Sequence, residues 1–280
     1  MSKAAEAMPI RRMDFGFDED IDLIFFDDDP VLSYSSHAFW MTMPYLEPYL
    51  MRSVRAAMDD VQDPILKEEM SRFCSQEGQH YQQHAKVNAI LKSCFDETGQ
   101  QKLQQIEDEL EADYQRFTAE KDHAFNLAYA EAFECMTMSM SRTQMEMAIH
   151  ERMKAPIKDL FLWHITEEME HRTVAFDAYG TLGNGYFYRV RLGRWAEKHY
   201  LGYVDRFHKA FLDLDKARIA AVETDEMIER RKQFGAQFAL KYLPRKLSTY
   251  LPWYHPSKVK MPDAFENHKD HYSSLAINIK

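Results

Sequence analysis

Cysteine is scarce and forms no pattern. Cys74, Cys94 and Cys135 are odd in number and none falls in a C-x-x-C pair. That argues against a disulfide framework and a cysteine zinc site, and it predicts a reducing, cytoplasmic setting. Glycine is equally sparse, nine in 280 residues, too few for a turn-rich β architecture. The N-terminus lacks an apolar leader: Arg11 and Arg12 are followed by Asp14, Asp18, Glu19 and Asp20, so no signal peptide is expected. No apolar run reaches the roughly 18–20 residues of a membrane span. The uncharged stretch 30–46 is interrupted by Ser33, Ser35, Ser36 and His37. Basic excess is missing too: the formal charge is −10, which argues against a nucleic-acid surface, normally a basic stripe.

What is present is helical. Hydrophobic residues make up 45% of the chain, and charged and apolar positions alternate at helical spacing almost throughout, so the fold class is all-α. Residues 1–30 read as an acidic arm, with Ile21, Leu23, Ile24, Phe25 and Phe26 available to dock. A first helix is expected over 35–60 and a second over 64–94, with Asp63 as N-cap and Pro64 at its first position. Residues 95–122 form a crossover whose Leu103, Ile106, Leu110 and Phe117 make a thin apolar stripe. A third helix spans 123–154, and a fourth runs from Pro156 to near Gly180. The cluster Gly180, Gly183 and Gly185 marks a boundary. The organisation expected is thus an arm (1–30), a four-helix bundle (31–180) and a C-terminal helical extension (181–280). The extension holds helices near 188–214, 226–242 and Ser248.

Two short motifs carry the chemistry: Glu77-x-x-His80 and His164-x-x-x-Glu168-x-x-His171. Residues three and four apart share a helix face, so each motif aims a carboxylate and an imidazole the same way. Glu47 precedes Glu77 by 30 residues and Glu134 precedes Glu168 by 34. A lone Glu followed by a Glu/His motif, twice, is what two helical hairpins around one dinuclear metal site would produce. One such motif alone is usually a solvated helix face. Two on helices with apolar faces (Leu66, Met70, Phe73, Cys74, Tyr81 and Val87; Leu160, Trp163, Met169, Val174 and Phe176) favour a buried site, where a metal satisfies groups that would otherwise be unpaired. Carboxylates with few imidazoles suit iron or manganese.

Several positions stay open on spacing alone. Glu131 and Glu134 are one turn apart, and Glu134 is favoured. His84 is either a further ligand or a histidine that bonds to one. His164 lies on the motif face. Glu167 either orients a ligand imidazole or is a solvated carboxylate, the latter favoured. Asp177 either supports the site or pairs with Arg55 or Arg72. Glu47 sits between Pro44 and Pro48, so its helix must kink or restart. Met136, Met138 and Met140 read as packing, with an apolar substrate pocket as the alternative. Residues 186–203 mix basic and apolar side chains, and packing on the bundle is favoured over a membrane surface.

At these residues the chain resembles the bacterial "predicted metal-dependent hydrolase" family of ferritin-like proteins. The resemblance is carried by the segments 47–55, Phe73-Cys-Ser-Gln-Glu-Gly-Gln-His80-Tyr-Gln-Gln-His84, Phe133-Glu134, Trp163-His164-x-x-Glu167-Glu168-x-Glu170-His171-x-x-Val174-Ala175-Phe176-Asp177, and Tyr254-His255-Pro256. It implies a ferritin-like four-helix bundle with a crossover helix. The ligand order is also similar to that of the di-iron arylamine N-oxygenases. That implies Glu47, Glu77, His80, Glu134, His164, Glu168 and His171 as ligands, with Glu77 and Glu168 bridging. His84 and the proline-flanked Glu47 are departures from that pattern. The function expected is an oxygen-activating oxidoreductase holding Fe/Fe or Fe/Mn. It would act on a small, partly apolar molecule, with dioxygen and an electron donor as partners. The alternatives are a hydrolase using a water activated by two metals, and a non-catalytic metal-binding bundle. Exposed helices leave room for a homodimer.

Overall fold

The computed structural model describes residues 8–18, 20–182 and 185–277. Residues 1–7, Glu19 and 278–280 of the expected arm and extension, and Gly183 of the glycine cluster, lie outside the described residues. The architecture is all-α. Among the described residues the one β feature is an isolated bridge between Phe26 and Met153. The helices are α1 (Pro30–Trp40), α2 (Met43–Ala56), α3 (Pro64–Ser93), α4 (Glu97–Glu120), α5 (His123–Glu146), α6 (Ile157–Glu170), α7 (Val174–Thr181), α8 (Gly185–Leu214), α9 (Lys216–Val222), α10 (Asp225–Ser248) and α11 (Phe265–Leu275). Helix α2 pairs with α3, and α5 packs on α6, α7 and α2. This arrangement is consistent with a ferritin-like bundle. Helix α4 lies across α2 and α8, while α8 covers α1 and α5.

Side-chain caps explain several helix starts. The side chains of Asp63, Asp96 and Asp122 accept backbone N–H groups at the heads of α3, α4 and α5, satisfying donors that a helix start leaves free. The expected 35–60 helix is instead two helices. Pro44 has no N–H to give the Trp40 carbonyl, and its ring disfavours helical backbone just before it. The Asn88 side-chain amide donates to that carbonyl instead (2.8 Å), and α2 restarts at Met43 with Glu47 one turn in.

The fourth helix also breaks, after Glu170. No proline or glycine marks the place. The Arg172 guanidinium takes up the Met169 carbonyl (2.6 Å) and donates to the Pro256 carbonyl (3.3 Å), so the turn at 171–173 is held by its own side chain and by the C-terminal strap. The short helices α9 and α11 were not legible in the sequence. Helix α11 contributes Phe265 and Tyr272 to the core beside α6.

The N-terminal segment is docked. Met8, Met13, Phe25 and Phe26 are buried, and the His37 ring on α1 meets the Leu23 carbonyl through Nε2 (3.0 Å). Burial lowers His37 to about 4, partly opposed by that carbonyl. A histidine whose folded value is depressed contributes stability that is intact above its unfolded value near 6.5 and lost as pH falls towards the folded value. Between pH 6.5 and 4, His37 therefore accounts for a loss of about 3 kcal/mol. Urea melts of wild type and His37→Gln across that range check it, since the variant should lack this part of the acid-induced decline.

Candidate metal centre

Four helices converge on one buried cluster. Glu47 comes from α2, Glu77, His80 and His84 from α3, Glu134 from α5, and His164 and Glu168 from α6; all are buried. His171 is the C-cap of α6 rather than a helical residue. The break after Glu170 thus decides where its ring points. Its Nε2 stands 3.3 Å from Glu77 Oε1, 3.2 Å from Glu134 Oε2 and 3.5 Å from Glu168 Oε2. His80 Nδ1 is 3.8 Å from Glu77 Oε2 and 4.0 Å from Glu168 Oε1.

Three sets of donors each gather within 4.8 Å: Glu77, Glu134 and His171; Glu77, His80 and Glu168; and Glu47, His80 and His164. Glu77 and His80 each belong to two of them. His84 belongs to none. Its Nε2 meets His164 Nδ1 (2.5 Å), and His164 Nε2 meets Glu168 Oε1 (2.8 Å).

Most donor atoms of the cluster have no hydrogen-bond partner. Both carboxylate oxygens of Glu47, Glu77 and Glu134, with Glu168 Oε2, His80 Nδ1 and His171 Nε2, are buried and unpaired. Leaving a buried polar group unmatched costs roughly 1–3 kcal/mol, and far more if it is charged. Such a concentration is what a cation site looks like, and oxygen-rich donors with imidazole suit a divalent metal. These residues therefore fit bound metal ions.

Without metal the charges are mismatched. Burial and then Glu77 push the Glu47 carboxyl well above the usual range, and burial pushes Glu134 up to about 8. Glu168 is held well below that range, because the bond from His164 and the nearby His171 imidazole outweigh its burial.

The nitrogens facing outward are all engaged. His80 Nε2 bonds Glu167 Oε2 (3.1 Å) and His171 Nδ1 bonds Gln76 Oε1 (3.2 Å). Engaging the outer nitrogen fixes the tautomer that leaves the inner one free to bind metal. Glu167 is fully buried and also accepts from Trp163 Nε1 (2.9 Å) and Arg11 Nη1 (2.9 Å), which corrects the expectation of a solvated carboxylate. Arg11 also bonds Glu170 twice (2.8 and 2.7 Å), and Gln76 Nε2 donates to Glu170 (2.8 Å). Arg11, Gln76 and Glu170 were missed by sequence reasoning. The one available signal was Glu167 and Glu170 flanking the motif and needing a cation; nothing pointed to a residue 156 positions away.

Two other candidates lie elsewhere. Glu131 pairs with Arg189 (2.8 Å) and accepts from Cys135 Sγ (3.2 Å). Asp177 meets His255 (2.9 Å) rather than Arg55 or Arg72. His255 is thereby the anchor of the strap whose Pro256 carbonyl holds Arg172.

An apolar cavity of about 360 Å³ reaches His164 and Glu168 from the side of α1 and α10. Met140 lines it, whereas Met136 and Met138 are core. Among the described residues no helix is long and apolar enough to cross a membrane. Comparison with curated proteins finds no match, and neither does comparison with solved structures. The profile of a family described as "Predicted metal-dependent hydrolase" matches residues 9–260, nearly the whole chain and all of the cluster. With Glu and His groups able to bind metal ions inside a match of that length, the chain belongs to the predicted metal-dependent hydrolase family.

Proposed function

We propose that this chain is a hydrolase using two metal ions, which Glu77 and Glu168 would help to hold. Glu47, His80, Glu134, His164 and His171 would complete the donor set, and Fe/Fe or Fe/Mn are the pairs its oxygen-rich character suits best. The supporting observation is the group of buried, unpartnered donor atoms that share Glu77 and His80. Metal bound there supplies a polarised substrate oxygen and a water acidic enough to attack near neutral pH. The chain does the positioning. Glu167 and Gln76 turn the rings of His80 and His171 inward. Trp163 and Phe73 stand edge-on to the same rings, each with centroids 4.8 Å away, and keep water out behind them.

Metal analysis followed by anaerobic assays on esters, amides and phosphate esters tests this. The expected result is about two ions per chain, with turnover lost on chelation and restored by metal. Turnover that survives chelation, or a protein that takes up no metal, overturns it.

A second reading, oxidation of a small apolar molecule by dioxygen with an external electron donor, is favoured by the four carboxylates together with the apolar lining of the adjoining cavity. Oxygen uptake by the iron-loaded protein, without hydrolysis of any of the three substrate classes, would select it.

A further inference from the structure

The cavity beside the metal centre is built from matching helix faces. Helix α6 presents Phe161, His164, Ile165 and Glu168, and α10 presents Arg231, Phe234, Gly235 and Phe238. Both sets run i, i+3, i+4, i+7, one continuous face of a helix. The α6 face ends on two residues of the cluster, so the floor of the cavity is the metal centre, and the exposed Gly235 among the lining residues puts the mouth at α10. On α5, Thr137, Ser141 and Gln144 line the wall. They continue the face of Glu134 outwards, and the ten residues from Glu134 to Gln144 rise about 15 Å. A volume of about 360 Å³ lies within the roughly 300–1,000 Å³ typical of small-molecule sites.

Gly235 stands at the mouth and has no local reason to be glycine. Its backbone is helical, and a Cβ built there meets nothing within 4 Å. A mid-helix glycine costs roughly 0.5–1 kcal/mol relative to alanine. What the missing side chain leaves is open space on the cavity side of the helix.

The cation on the lining is already committed. Arg231 Nη1 bonds both oxygens of Asp29 at 3.0 Å, and Nη2 bonds Glu223. Asp29 is fully buried and also caps α1. Drawing Arg231 away to bind an anionic ligand would strand that carboxylate.

We propose that Gly235 holds open the mouth of an apolar channel that admits uncharged hydrophobic substrates to His164 and Glu168. Neutral aliphatic or aromatic esters and amides enter it, and carboxylate-bearing analogues of the same size are rejected. The proposal rests on the metal centre being the reaction site, but its test reads binding, which needs no turnover.

Nile red, a neutral fluorophore, is titrated into the full chain and displaced with decanol or decanoate. Saturable binding is expected, with decanol displacing the dye at least about tenfold more strongly than decanoate, a gap of about 1.4 kcal/mol. Gly235→Phe should weaken dye binding at least about tenfold. Leu240→Gln should leave binding unchanged, since Leu240 is 78% exposed on α10 and outside the cavity. To separate blockage from misfolding, Gly235→Cys is folded first and then alkylated with a bulky maleimide; wild type treated alike controls for the exposed Cys94. Loss of binding on alkylation of the variant alone supports the channel. Unchanged binding in both Gly235 variants, loss of binding in Leu240→Gln, or equal displacement by decanoate overturns it. Binding as expected in a protein that hydrolyses nothing would refute the proposed reaction and leave the channel standing.

Discussion

Replacing Glu77 with glutamine should strip the protein of metal and leave the metal-free fold no less stable. Glu77 belongs to two of the three donor groups, and neither of its oxygens accepts a hydrogen bond. Glutamine keeps the shape and removes one negative charge from a buried set that includes Glu47, Glu134 and Glu168. Residues that merely orient a ligand change metal affinity about 10–100-fold, so loss of a shared donor should exceed about 100-fold. The stability result carries the opposite sign to that of an ordinary buried polar substitution, which costs roughly 1–3 kcal/mol. Wild type should gain about 2.7 kcal/mol per bound ion at metal concentrations about 100 times Kd, and the variant less than about 0.5 kcal/mol. Metal content and urea midpoints of chelated and loaded proteins check both halves. Normal metal content in the variant would remove Glu77 from the centre. A chelated variant that no longer folds would make Glu77 a structural residue.

The second large effect is expected at Arg11, far from the motifs in sequence. Arg11→Met should destabilise the protein by about 3–5 kcal/mol, because Glu167 and Glu170 are left buried without their cation. It should also weaken metal binding about 10–100-fold, since Glu167 then holds the His80 ring less firmly. Adding Glu170→Gln should return part of the stability by removing one stranded carboxylate, and none of the affinity. Denaturation curves and metal titrations of the single and double variants measure these effects separately. A single variant as stable as wild type would mean that the guanidinium is replaceable by water.

Much of the cluster could be read from spacing. Glu77 and His80 share one helix face, and His164 and Glu168 another, because three- and four-residue intervals leave little freedom in where side chains point. Glu134 could be favoured over Glu131 but not separated from it by spacing, because one turn of helix puts both on nearly the same side. The partner Arg189, on α8, is what draws Glu131 away. His171 fits the motif by count, yet it reaches the centre from a helix end that no local propensity announces. The break depends on Arg172 closing the turn and on the strap at Pro256.

By itself the sequence determined that the protein is all-α, where helices α3 and α5 begin, and which carboxylate and imidazole pairs share a face. Each follows from short-range geometry: few glycines, aspartates ahead of helix starts, and the helical repeat. Only the tertiary structure decided that Glu47 survives its flanking prolines, through the donation of Asn88 to the Trp40 carbonyl. It alone set Arg11 between Glu167 and Glu170 and laid α10 along the mouth of the cavity. These contacts join segments dozens to hundreds of residues apart, and no local pattern encodes which of many compatible surfaces will meet once the core closes.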